Sequence, residues 1–276
     1  MSEVVERTQN YYDSADADEF YFRIWGGEDI HIGLYNEGEK DIFAASRRTV
    51  ERMANYVADR ITSETKVLDL GAGYGGSARY LAKRFGCHVT ALNLSLKQNE
   101  RDRQMNQEQG LADKIDVVDG NFEDLPYEDN SFDVIWSQDS FLHSGERRKV
   151  FAEMDRVLKP GGDIIFTDPM QKHGVDREQL RPVLDRIQLE TMGSIEDYRQ
   201  YAREFGWEEL AVERMTGQLV NHYSNVHDHL ESREKDLEGV VSQEYIDNMK
   251  RGLNHWVNAG KKELLAWGIL HFRKPA

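Results

Sequence analysis

The sequence predicts an α/β fold, a mostly parallel sheet with helices on both faces. Three observations carry this. Between residues 66 and 167, short apolar runs alternate with stretches of helical periodicity, the pattern of βαβ units that feed a parallel sheet. The first run leads into four glycines within six positions, 71–76. Such a turn, free of side chains and set before a helix, lets backbone N–H groups approach a ligand. Beyond residue 217 the alternation gives way to a polar, largely helical stretch, 218–262, before one more apolar run.

The elements follow in order. Residues 1–35 crowd together Tyr11, Tyr12, Phe20, Tyr21, Phe22, Trp25 and Tyr35 without regular spacing, and read as an irregular aromatic cap. Residues 41–60 read as a helix, with Ile42, Met53 and Val57 near helical spacing and Asp41 as its cap. "KVLDLGAG" is a buried strand running into the glycine turn, and "SARYLAKRFG" a helix closed by Gly86. "HVTALNLS" is the second strand, followed by a polar helix that Gly110 closes. "KIDVVDGNF" and "FDVIWSQD" are the third and fourth strands. "ERRKVFAEMDRVLKPGG" is expected to be a helix stopped by Pro160 and two glycines, and "DIIFTDPM" the fifth strand. A helix near 195–205, the strand "EELAVERM" and a last strand "LLAWGILHFRK" complete seven strands. The expected organisation is a cap over 1–40, an α/β domain over 41–217 and 263–276, and a helical insertion over 218–262 that acts as a lid.

Composition bounds the function. At 276 residues the chain can bury a full core. Fifty acidic against 35 basic residues give a net charge of −15, which argues against nucleic acid or anionic membranes as partners. No apolar run is long enough for a membrane span, and the acidic N-terminal stretch lacks a secretory apolar core, so a cytoplasmic protein is expected. Cys87 is the only cysteine, which removes internal disulfides and most thiolate metal sites. His222, His227 and His229 stand without an accompanying carboxylate or thiolate motif, so no metal is expected. Oligomeric state stays open.

The glycine turn alone admits two ligands. Gly71, Gly73 and Gly76 fit the G-x-G-x-x-G of dinucleotide sites, and Gly71, Gly73 and Gly75 fit the G-x-G-x-G of S-adenosylmethionine enzymes. After the second strand an acidic residue is expected on the ribose, and Asn93 stands there; its amide can still accept from and donate to a hydroxyl. The next segments break the tie. "GNFEDLPYEDNSFDVIWSQDSFLH" followed by "EMDRVLKPGGDIIFTD" resembles the middle of class I S-adenosylmethionine-dependent methyltransferases, whose fold is Rossmann-like. That resemblance implies Gly71, Ala72 and Gly73 along the methionine part of the cofactor, Asn93, Leu94 and Gln98 at the ribose, and Asn121 and Phe122 at the adenine. It implies Gln138 near the sulfonium, and leaves Asp69 either on the cofactor's ammonium or bracing the glycine loop.

The stretch from Tyr11 to Tyr35, with "ASRRTVERM", "NERDRQMN", "WSQDSFLHS", "FTDPMQ", "LDRIQLETMG" and "HWVNAGKKELLAWGILHFRK", is similar to the sarcosine and dimethylglycine N-methyltransferases. These make glycine betaine by successive methylation. The implied substrate is a small zwitterionic amine. Its ammonium suits aromatic walls, for which Tyr21, Trp25, Tyr35 and Tyr223 are candidates, Trp25 being assigned to cofactor and substrate alike. Trp136 and Phe141 also come into view, Trp136 more as packing, while Trp256 and Trp267 are expected to pack the insertion onto the sheet. Arg186 is the first choice for the carboxylate. Asp139 and His143 are the candidates to take a proton from the amine. Two other readings stay open: a carbon or oxygen methyltransferase acting on a lipid or quinol, and a protein that binds S-adenosylmethionine without transfer.

Overall fold

The structure is a computed structural model that describes residues 3–187 and 189–276. Seven strands form one sheet: β1 (Lys66–Leu70), β2 (His88–Asn93), β3 (Ile115–Asp119), β4 (Phe132–Gln138), β5 (Leu158–Thr167), β6 (Glu208–Arg214) and β7 (Gly268–Arg273). Their order is β3-β2-β1-β4-β5-β7-β6, and β7 alone runs against its neighbours. Among the described residues ten α-helices accompany them: α1 (Glu3–Tyr12), α2 (Ala15–Phe20), α3 (Ile42–Tyr56), α4 (Gly76–Phe85), α5 (Leu96–Glu108), α6 (Arg147–Val157), α7 (Arg177–Arg186), α8 (Ile195–Glu204), α9 (Thr216–Arg233) and α10 (Gln243–Lys261). β1 and β4 are buried along nearly their whole length, as strands covered on both faces must be. Among the described residues no helix is long and apolar enough to cross a membrane.

Three expectations need correction. The aromatic segment is irregular only from Gly26 on: α1, α2 and a π-helical turn, Tyr21–Trp25, make its first part helical. Helices this short form only when packed. Here Ser14 Oγ accepts from Ala17 N at 3.2 Å, Tyr74 donates to Asp18 Oδ1 at 2.9 Å, and Arg101 forks onto Asp18 and Glu19. The helix expected to reach Pro160 and its glycines stops at Val157. The register of β4 and β5 slips between Phe132 and Val134, and the bulge gives Pro160 a place in a strand. The last strand is broken: Leu265–Ala266 pairs with Met170–Gln171, and only from Gly268 does the chain join the main sheet.

Two apolar cores lie on the faces of the sheet, one holding Met53, Leu81, Val67 and Val134, the other Leu70, Phe151, Phe166 and Phe272. A third is built from segments far apart in sequence. Phe20, Ile24 and Trp25 pack with Leu180 of α7, Val226 of α9 and Leu253 and Trp256 of α10. Cap and insertion therefore share one core. It sits over the carboxyl ends of β1 and β4, because Tyr74 of the glycine turn belongs to it and Ile32 N–H bonds to Asp139 just beyond β4. Crevices there are where open α/β sheets take ligands.

Candidate active site

Gly71 and Gly73 have φ of +74° and +58°, conformations that suit glycine. A Cβ on Gly71 would stand 2.4 Å from that of Ser140, so the turn is also packed too closely for a side chain. Above it opens a cavity of about 740 Å³. Of the residues expected at the cofactor, Gly71, Gly73, Asn93, Leu94, Gln98, Asn121, Phe122 and Gln138 line it. Asn93 Nδ2 donates to Gln98 Oε1 at 3.0 Å. Gln138 Oε1 accepts from Ser77 and from the Trp136 indole. That leaves Gln98 Nε2 and Gln138 Nε2 buried without partners, so the cavity presents amide donors and a glycine cradle, a set that fits ribose hydroxyls and an amino-acid tail.

Three of the expected cofactor residues lie elsewhere. Ala72 is in the turn without lining the cavity. Asp69 sits behind the turn, its Oδ2 without a partner; burial, then Asp102 and Asp29, push its carboxyl well above the usual range. Trp25 faces a second space.

That second space is a chamber of about 420 Å³. Tyr12, Ile30, Asp139 and His143 line both cavities, so the two meet there. Tyr21, Trp25, Tyr223 and Trp256 add ring walls: Tyr223 and Trp256 stack at 4.8 Å and 7°, and Trp25 meets Tyr223 edge-on at 5.5 Å. Tyr35 does not reach the chamber; it shares a 2.8 Å hydrogen bond with His222 Nδ1, which also accepts from Gly33 N. Burial holds His222 at about 3, hence neutral. Trp136 and Phe141 are core residues.

Arg186 enters the chamber from the end of α7. Its stem runs against α10 where Gly252 leaves room. Nη2 touches Met249 Sδ at 3.5 Å, Nε has no partner, and the side chain makes no ion pair among the described residues. Arg79 shows how the fold treats a buried arginine otherwise: it bonds Glu28, Asp102 and Asn106.

Asp139 and His143 stand at the junction but differ. Asp139, with φ of +52°, accepts from Ile32 N at 2.6 Å and from the Trp267 indole at 2.8 Å. Both its oxygens are occupied, so it ties the cap to the sheet. His143 Nε2 shares a 2.9 Å hydrogen bond with the Tyr12 hydroxyl. Burial and the nearby Arg186 lower its imidazole to about 4. No cluster of three metal-ligating side chains occurs among the described residues.

Residues 68–166 match the family described as methyltransferase domain. Over 99% of its length the chain is 60% identical to a sarcosine/dimethylglycine N-methyltransferase of Aphanothece halophytica, covering 98% of it. A protein of the same description from Halorhodospira halochloris is 57% identical, with 99% of this chain and 97% of that one covered. The chain belongs to the sarcosine/dimethylglycine N-methyltransferase family. A crystal structure described as a sarcosine dimethylglycine methyltransferase, from Galdieria sulphuraria, superposes at a TM-score of 0.90 with 47% identity, covering 96% of this chain and 99% of that one. A Haemonchus contortus phosphoethanolamine N-methyltransferase, at 20% identity and a TM-score of 0.85, shares the fold.

In this member of the sarcosine/dimethylglycine N-methyltransferase family, sequence reasoning missed Tyr12, Ile30, His31 and Trp256, which line the chamber, and Val5 and Thr8, through which α1 covers the cavity above the glycine turn. Tyr12 was in view as an aromatic of the cap. Nothing in local sequence distinguishes it from its neighbour Tyr11.

Proposed function

We propose that the protein is an S-adenosylmethionine-dependent N-methyltransferase that converts sarcosine to dimethylglycine and dimethylglycine to glycine betaine. The observation that carries the reading is Arg186, a guanidinium without an acidic partner in an aromatic chamber that opens onto the glycine-turn cavity. Asp139, the carboxylate in the chamber wall, is already held by two donors, and the rings suit a cation, so Arg186 is left to take the acid of an amino acid methylated on nitrogen. The names of the relatives at 57–60% identity agree with it.

When bound, S-adenosylmethionine supplies an electrophilic methyl carbon that an amine lone pair takes as the sulfur leaves. Gly71 and Gly73 would cradle it, the amides of Asn93, Gln98 and Asn121 would hold its polar edges, and Phe122 would give its base an apolar face. Arg186 takes the substrate carboxylate in a charge-assisted pair. The rings of Tyr21, Trp25 and Tyr223 face the ammonium, contributing roughly 0.5–2 kcal/mol each. Held at both ends, the nitrogen is presented at the junction of the cavities, and such positioning supplies much of the rate. The ammonium must first lose a proton. Burial and the field of Arg186 favour the neutral amine, and the neutral imidazole of His143 with the Tyr12 hydroxyl offers the proton its way out. Asp139, whose two oxygens each already accept a hydrogen bond, serves to hold the cap against the sheet rather than to take that proton. The cap and α9–α10 exclude water as a lid. The enzyme works in the cytoplasm on zwitterions free in solution, and its charge of −15 supports action apart from nucleic acid and anionic lipid.

A radiolabelled methyl-transfer assay with sarcosine, dimethylglycine and a quinol tests this. Label is expected in dimethylglycine and betaine. Arg186→Met is expected to raise the KM for the amine roughly 10- to 150-fold, the loss of one charge-assisted contact, with cofactor affinity unchanged by calorimetry. Label in the quinol alone, or in no product, refutes the reading.

A further inference from the structure

The protein has five tryptophans. Three have indole N–H groups with acceptors: Trp136 donates to Gln138 Oε1 at 3.1 Å, Trp207 to Asp155 Oδ1 at 2.7 Å, and Trp267 to Asp139 Oδ1 at 2.8 Å. The other two, Trp25 and Trp256, are 5% and 0% exposed and their Nε1 atoms have no partner among the described residues. Both line the aromatic chamber. So does Arg186, whose Nε is likewise buried and unpartnered. The three side chains come from separate elements, the π-helical turn, α7 and α10. The carboxylate that lines the chamber, Asp139, has both oxygens engaged.

A buried donor left unpaired costs about 1–3 kcal/mol, and three around one small space call for one acceptor-rich group. A carboxylate, acceptor-only with about four lone-pair sites, satisfies all three. The stacking of Tyr223 on Trp256 fixes the indole plane, so its N–H direction is set in advance. We propose that the indole N–H groups of Trp25 and Trp256 complete, with Arg186, a three-donor carboxylate receptor that makes the enzyme select N-methylated amino acids over amines of the same shape. The inference rests on the function proposed above and deepens it. The two tryptophans then have double use: ring faces toward the cation, N–H edges toward the anion. A site built around buried donors rejects an analogue that leaves them unpaired far more strongly than an apolar pocket rejects a change of size.

The test compares dimethylglycine with N,N-dimethylethanolamine, which replaces the carboxylate by an alcohol. In the intact enzyme the ratio of kcat/KM values strongly favours dimethylglycine. Replacing Trp25 or Trp256 by phenylalanine, or by the benzothiophene analogue of tryptophan, which keeps the shape and removes the N–H, is expected to lower kcat/KM for dimethylglycine about tenfold per site. The same change lowers the rate with the alcohol by less, since the alcohol shares the ring contacts to the ammonium but not the carboxylate, so the ratio falls. If the benzothiophene variants fold and bind cofactor yet the ratio is unchanged, the indole donors take no part and the proposal falls, while methylation of dimethylglycine stands. If the intact enzyme methylates neither compound, the function itself fails.

Discussion

Replacing Gly252 by alanine perturbs the site without deleting any functional atom. Gly252 lies within α10, where alanine ordinarily stabilises by about 1 kcal/mol relative to glycine. Here the new Cβ would stand 2.1 Å from Arg186 Cδ, 2.5 Å from Nε and 2.8 Å from Cγ. The arginine stem cannot stay. It can swing outward, because Arg186 also borders an outer groove formed by Tyr11, Asp185, Tyr245 and Asn248. The helix gain and the side-chain move roughly offset, so the melting temperature should hold or rise slightly. The substrate loses its carboxylate partner, about 1.5–3 kcal/mol for a hydrogen bond to a charged group, or roughly a 10- to 150-fold rise in KM for the amine. Gly252 does not line the cofactor cavity, so calorimetric affinity for S-adenosylmethionine should not change. Steady-state kinetics with dimethylglycine at saturating cofactor read the effect. An unchanged amine KM in a folded Gly252→Ala protein would refute Arg186 as the anchor.

Two further perturbations separate charge from structure. Asp139→Asn leaves Ile32 N–H or the Trp267 indole facing an NH₂ group; urea unfolding should show a loss of about 1–3 kcal/mol, with the shape of the pH–rate profile unchanged, and a lost limb of that profile would restore Asp139 as a base. The imidazole of His143 is held at about 4 by burial and Arg186, whereas an unfolded histidine titrates near 6.5. The unfolded chain therefore binds the proton the folded one refuses: stability is full above about pH 6.5 and falls as pH drops, by about 2 kcal/mol at pH 5. His143→Gln lacks that decline, so the stability difference between wild type and variant should move by that amount between pH 7 and pH 5. A difference independent of pH would show that the imidazole is not held neutral.

The glycine turn, the run of strands and most of the lining of the cavity above the turn were legible because they rest on local requirements: positive φ at Gly71 and Gly73, two-sided burial of β1 and β4, amides at strand ends. The second chamber was legible only in part. Trp256 continues the apolar stripe of Ile246, Met249 and Leu253 on α10, and a stripe facing a chamber has the same periodicity as one facing a core. Asp139 reads as a base because an acid at a strand end beside a cofactor suggests one; its donors come from residues 32 and 267, which only the fold brings together. Trp25 was placed beside the cofactor because the path of the cap could not be followed through a π-helical turn, whose spacing matches neither helix nor strand. Gly252 carried no signal at all, since its reason is a neighbouring side chain from another helix.

The core shared by the N-terminal helices and α10 has a consequence for how the protein is made. Phe20, Ile24 and Trp25 leave the ribosome long before Leu253 and Trp256, which cover them. In the interval the early aromatics have only the part of their core that precedes α9 and α10, Tyr74 and Leu180 among it. Contacts this distant along the chain slow folding, and bare apolar surface in the interval invites aggregation. The nascent chain thus keeps part of this apolar surface bare until α10 is released, and truncation ahead of residue 243 would leave those aromatics partly in water for good.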